Sequence, residues 1–253
     1  MRTTTRVIRL ASTVILCVAA FRSFGADQNL PKAETILDKY IEVTGGSARY
    51  EKLKTQVSLG NVELSSQGMA GTMAIFRAYP NLVYTVMELP VGTVEEGFDG
   101  KTAWSKSPMM RPRIKEGPEK ASAQTSAIFN GEFRWRDQFA AVELLGLERV
   151  GGQECYKILA TVRDAGTQTR YYDKNTYLLV KLSMVVRSPL GDIPTETLFS
   201  DYREEDGVVS AHRWVQNVVG QQITTTLKKV EYNTALPPDR FELPAEIKAL
   251  IGK

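Results

Sequence analysis

Between residues 55 and 232 the chain is cut again and again by turn residues, and between the cuts apolar side chains tend to alternate with polar ones. The punctuation is Pro80-Asn81, Pro90, Asp99-Gly100, Gly151-Gly152, Asp164-Ala165-Gly166, Lys174-Asn175 and Glu205-Asp206-Gly207. Gly, Asn and Asp tolerate positive φ and Pro presets its own φ, so each site favours a reversal. Strands are expected near 55–64, 70–78, 81–88, 92–98, 102–106, 142–149, 153–163, 167–173, 177–187, 194–203, 208–219 and 222–232. The meander amounts to about eleven antiparallel strands, and strongly twisted open sheets rarely exceed ~10 without curling. The expected class is therefore mainly β (α+β): a curled antiparallel half-barrel, with an inside, covered by a few helices.

The alternation is cleanest at Leu178, Val180, Leu182, Met184 and Val186, which should face the helices or a cavity while Lys181 and Ser183 face solvent. Before the strands, Ala33, Ile36, Leu37, Tyr40, Ile41 and Thr44 recur at helical spacing. Asn29 is placed to cap that helix, Pro31 to sit in its first turn, and Gly45-Gly46 to end it. Residues 107–141 interrupt the meander. The stretch 107–113, with Pro108, Met109, Met110 and Pro112, reads as a loop, and 119–130 reads as helix-compatible. A short helix is expected around 244–251, after Pro237-Pro238.

The first 25 residues have the layout of a secretory signal: Arg2, Arg6 and Arg9, an apolar run over 10–21, then small residues at Ser23 and Gly25. Cleavage after Gly25 is expected, leaving 26–253 as one domain in the periplasm or outside the cell. Leu16 before Cys17 makes a poor lipidation site, so Cys17 reads as filler in the apolar run. That run falls short of the ~20 residues needed to span a bilayer, and no other stretch qualifies as transmembrane. Removing 1–25 takes away four arginines and no acid, leaving 28 basic against 29 acidic residues. A near-neutral chain without a clustered basic face does not suit nucleic acid.

The segments bearing these features resemble the LolA/LolB-type family of outer-membrane lipoprotein-sorting proteins. The resemblance rests on Thr44-Gly45-Gly46, on 97–104 with Asp99-Gly100 and Trp104, and on Cys155-Tyr156-Lys157. It continues through Tyr171-Tyr172-Asp173-Lys174, 200–208 and 236–244. It implies a half-barrel of about eleven strands under helices, with a concave apolar face that takes acyl chains or another hydrophobic ligand. Val209-Ser210-Ala211-His212 stands where relatives often carry Leu-Pro, and the family's contact residues are not carried over.

Catalytic groups are sparse. His212 is the only histidine, which excludes any multi-histidine metal site, and it lies mid-strand as a solvated or packed residue. Cys155 has no basic cluster beside it to activate a thiolate. Glu95 and Glu96, adjacent in a strand, should point to opposite faces, and Glu204-Glu205-Asp206 belongs to a turn. No metal or cofactor is expected, and the protein is expected not to be an enzyme. The candidate ligand residues are the aromatic and sulfur side chains Phe76, Tyr84, Met87, Trp104, Phe129, Trp135 and Phe139, with Met109 and Met110 as adaptable contacts. The expected role is a carrier or binding protein for a lipid, acyl chain or lipoprotein. The alternative is a sensory or protein-interaction module resembling RseB-type regulators, with an envelope protein as partner.

Overall fold

The computed structural model describes residues 30–188, 191–218 and 220–251. The expected signal at 1–25 and the expected cap Asn29 lie outside them. Among the described residues one antiparallel sheet carries thirteen strands: β1 (Thr55–Leu64), β2 (Met69–Ala78), β3 (Leu82–Leu89), β4 (Gly92–Phe98), β5 (Ala103–Ser107), β6 (Met110–Ile114), β7 (Phe139–Val150), β8 (Gln153–Val162), β9 (Gly166–Asp173), β10 (Leu179–Ser188), β11 (Gly191–Glu205), β12 (Val208–Val218) and β13 (Gln221–Tyr232). The helices are α1 (Ala33–Val43), α2 (Ser47–Tyr50), α3 (Gly117–Ala127), α4 (Trp135–Gln138) and α5 (Ala245–Ile251).

The strand order is β6-β5-β4-β3-β2-β1-β13-β12-β11-β10-β9-β8-β7. Two meanders, β1 to β6 and β7 to β13, are thus joined where the first strand pairs with the last, from Gln56 opposite Tyr232 to Leu64 opposite Ile223. The edge strands β6 and β7 are not paired, so the sheet is not closed into a barrel. The chain between them, carrying α3 and α4, passes from one edge of the sheet to the other. Helix α3 packs against β4 and β5 on one arm and β10 on the other. Strands β4 and β10 are seven pairings apart in the strand order, or about 34 Å in a flat sheet at ~4.8 Å per strand. A helix ~10 Å across can touch both only if the sheet curls around it.

The count is thirteen rather than about eleven, and the strand that falls in none of the expected ranges is the short β6, in the segment expected to be a loop. Pro112 lacks a donor, but an edge strand has a ladder on one side only and accommodates it. Strand β7 also starts earlier than expected, at Phe139.

In β10 the expected alternation holds from Leu182 onward: Leu182, Met184 and Val186 line cavities inside the curl. Lys181 pairs with Glu196, Ser183 Oγ donates to Glu196 at 3.2 Å, and Val185 is exposed. A register shift between Leu179 and Lys181, against β9, changes the start of the strand. There the buried Leu179 lines the interior in place of Leu178 and Val180. The bulge supplies the extra residue that flips the parity.

Helix α1 buries Ala33, Ile36, Leu37, Tyr40 and Ile41, its expected apolar face. Its N-cap is Lys32, so Pro31 lies one position outside the helix rather than in the first turn. Thr44 closes the other end, its hydroxyl donating to the Tyr40 carbonyl at 2.7 Å and accepting from Tyr50 at 2.9 Å. Gly45 follows at φ 137°, where a Cβ would come within 2.8 Å of the Gly207 carbonyl oxygen. The Val209 N–H donates to the Thr44 carbonyl at 3.0 Å, which pins the helix end to the β11–β12 hairpin. That hairpin turns on Asp206 (φ 52°) and Gly207 (φ 74°), the pair of left-handed residues a two-residue turn of this twist requires.

Candidate functional site

Inside the curl, under α3 and the segment that follows it, lies a cavity of about 470 Å³. Its apolar wall comes from β10 to β12: Leu179, Leu182, Met184, Phe199, Val208, Val209, Ala211 and Trp214. The opposite wall is more polar, with Thr125 and Ser126 from α3 and Asn130, Glu132 and Gln138 beyond it. A second cavity of about 260 Å³ extends under the other side of α3, between Val83, Thr85, Phe98, Ala123, Met184 and Val186. Arg77, Ser126 and Met184 line both. Phe98, Ala103 and Ala127 form a solid core cluster beside the second cavity and hold α3 to the sheet. Pro118 in the first turn of α3 supplies a preset φ where an N–H is unpaired anyway.

The tyrosines around the larger cavity are neutral. Burial pushes the phenols of Tyr40, Tyr50, Tyr202 and Tyr232 above the usual tyrosine range. Tyr202 spends its proton on the Leu179 carbonyl at 2.6 Å. Arg170, 3 % exposed, is engaged on every side. It ion-pairs with Glu132, donates to the Tyr172 hydroxyl at 2.8 Å and to Gln168 at 2.9 Å. Burial opposes its charge, but Glu132 and Tyr172 outweigh that and raise its pKa. Arg77 is different: one nitrogen donates to the Ser126 carbonyl at 2.9 Å, and no carboxylate among the described residues pairs with it.

None of the nine expected ligand residues lines the 470 Å³ cavity. Phe76 and Tyr84 stack at 6.0 Å and Tyr84 and Trp104 at 6.1 Å, on the face opposite to Arg77, Val83 and Thr85. That outer face is covered by the C-terminal segment. The Arg240 guanidinium sits 4.3 Å from the Phe76 ring centre, Glu246 of α5 reaches Lys106 at 3.2 Å, and Ile247 is fully buried. Met87 shares the inward parity of Val83 and Thr85 but lines neither cavity. Met109 and Met110 are exposed at β6, and Met110 borders only a shallow crevice of about 210 Å³. Phe129, Trp135 and Phe139 are buried around the second wall of the large cavity. The Phe129 N–H donates to the Pro80 carbonyl at 3.0 Å, and Trp135 Nε1 donates to Asp38 of α1 at 3.2 Å. The Phe139 ring lies 5.5 Å from the Arg170 guanidinium.

The remaining reactive groups are structural in setting. Burial pushes the Cys155 thiol up to about 11. His212 is fully buried, with Nδ1 3.0 Å from the Ser210 carbonyl and Nε2 without a hydrogen bond, 3.7 Å from Glu205. Glu95 accepts from Tyr84 at 2.8 Å on the outer face, while Glu96 pairs with Lys115 at 2.8 Å on the inner one, the expected separation. Among the described residues no three His, Cys, Asp or Glu side chains come together to hold a metal ion.

Sequence reasoning missed Arg77: alternation groups it with Met73 and Ile75 and sets it opposite Phe76, but both faces carry apolar side chains, so residue order does not tell which one turns inward.

No protein-family model matches the chain. No curated protein matches it either. Solved structures do. One is described as an outer membrane lipoprotein-sorting protein domain from Vibrio parahaemolyticus: 14% identity, TM-score 0.55, covering 87% of this chain and 100% of that one. A LolA superfamily protein from Nitrosomonas europaea aligns at 14% identity and TM-score 0.56, over 85% of this chain and 99% of that one. A DUF1329 family protein from Desulfovibrio piger aligns at 12% and 0.56, over 83% and 97%. The chain thus has a LolA-like lipoprotein-carrier fold. No helix among the described residues is long and apolar enough to cross a membrane.

Proposed function

We propose that the protein is a non-enzymatic carrier or binding protein of the periplasm or cell exterior. On this reading it holds a lipid or acyl chain, free or as part of a lipoprotein, on the concave side of its sheet. The observation that carries the reading is the cavity of about 470 Å³ between the apolar wall of β10–β12 and the α3–α4 segment. Its size falls in the range of small-molecule pockets, roughly 300–1,000 Å³. Each buried methylene contributes ~0.8 kcal/mol, so ten would supply about 8 kcal/mol before ordering costs are subtracted. Micromolar binding then needs no further anchor.

Residues 1–25 would deliver the protein across the inner membrane, and N-terminal sequencing of exported protein should begin at Ala26 or Asp27. Phe129, Trp135 and Phe139 would serve the ligand indirectly, by fixing the wall opposite Leu182 and Met184. Met109 and Met110 would offer a contact for an envelope protein.

The test is native mass spectrometry of delipidated protein mixed with fatty acids and phospholipids. Wild type should retain one lipid, and Met184→Asp, if folded, should retain none. No adduct with any lipid would contradict the reading and favour a partner-sensing role.

A further inference from the structure

Three cationic side chains line the two cavities inside the curl: Arg170, Lys115 and Arg77. Two are neutralised in place, Arg170 by Glu132 and Lys115 by Glu96. Glu119, the remaining carboxylate there, is held by Arg113. Arg77 stands at the junction of both cavities beside Met184, with its single bond to the Ser126 carbonyl and no carboxylate partner among the described residues. A guanidinium carries five donors in a planar fork, so most of its capacity is unspent. Arg77 is half-buried, and partial loss of water with no counter-charge draws its pKa down from the usual arginine value. An unpaired cation in a recess is costly, and an anion entering from outside would relieve it.

We propose that Arg77 anchors an anionic headgroup, a carboxylate or a phosphate, on the acyl ligand whose chain lies along Leu182, Met184 and Trp214. This rests on the lipid-binding reading above and narrows it to lipids with a negative end. The planar fork of arginine matches both groups in a two-point contact. Because Glu96, Glu119 and Glu132 are already paired, no carboxylate of the cavity wall competes for it. The headgroup would sit under α3 near Ser126, where the two cavities meet, and the chain would run into the larger one.

The test compares ligands that share chains and differ in charge: oleate against oleyl alcohol, and dioleoyl phosphatidic acid against dioleoylglycerol. Wild-type protein should bind at least one anionic member about ten-fold more tightly than its neutral counterpart. The pair that discriminates identifies carboxylate or phosphate. Arg77→Met should remove the preference by weakening the anion while leaving the neutral lipid within about two-fold, and Arg77→Lys should restore part of it. Arg77→Gln, which keeps a donor for the Ser126 carbonyl, replaces Arg77→Met if that variant fails to fold. Equal binding of both members of each pair by wild type overturns the anchor and spares the lipid reading, as does a preference that survives in Arg77→Met. Failure of all four ligands to bind wild type overturns both.

Discussion

The two faces of the β2–β5 arm make opposite use of their side chains. The outer face carries Phe76, Tyr84 and Trp104 in a continuous stack, and the chain's own C-terminal segment fills it, with Arg240 against the rings and Ile247 buried. The inner face carries Arg77 and Thr85 among Met73, Ile75, Val83, Met87 and a single ring, Phe98, and it is the one with open volume beneath α3. Ring stacking therefore marks where the protein satisfies itself, and the face with fewer rings is where it has room for something else. The same contrast separates the arginines: Arg170 is fully engaged within the protein, whereas Arg77 is held by one carbonyl.

Removing an outer-face ring should be the most damaging change to stability and the least to binding. Trp104→Ala, at a site 2 % exposed, should cost about 3–5 kcal/mol in denaturant unfolding while the folded fraction binds lipid normally. Glu132→Ala should cost about 3 kcal/mol by leaving Arg170 buried without its partner, whereas Arg77→Met, which strands no charge, should stay within about 1 kcal/mol of wild type. Similar losses for the two would erase the distinction between the arginines. Leu182→Asp places a charge on the cavity wall and should abolish lipid binding. One residue away on the outer side, Ser183→Asp should cost less than about 1 kcal/mol and leave binding intact. Equal tolerance of both would put the register of β10 in error.

The smallest effect expected is on acid stability. The Arg113 guanidinium holds the Glu119 carboxyl below its usual value against the opposing pull of burial. A depressed carboxylate stabilises the fold above its unfolded value of ~4.3, and that contribution disappears as pH falls through the lower folded value. Glu119→Gln should lower the melting temperature slightly at neutral pH, where this contribution is fully present, and the difference from wild type should shrink to nothing in acid, where the wild-type carboxyl is itself protonated.

Period-two alternation and turn chemistry made much of this legible. Leu182, Met184 and Val186 against Lys181 and Ser183, the turn at Asp206-Gly207 and the buried face of α1 could all be read from residue order. Strand β6 could not, because Met109, Pro112 and the flanking arginines obscure strand character at an edge that needs only one ladder. The bulge at Leu179 could not either, since one extra residue reverses parity without changing composition. Alternation also placed Phe76 and Arg77 on opposite faces without revealing which face is concave. That choice depends on α5 and Arg240, well over a hundred residues away, closing over the aromatic stack.

The central claim is that ligand lies on the concave side, against Trp214 and away from Trp104. It is tested most directly with single-tryptophan proteins and a brominated acyl chain, which quenches indole emission on contact. Protein keeping only Trp214, through Trp104→Phe and Trp135→Phe, should be quenched in a saturable way, while protein keeping only Trp104 should not. Saturable quenching of Trp104 with Trp214 silent would place the ligand on the outer face and contradict the account.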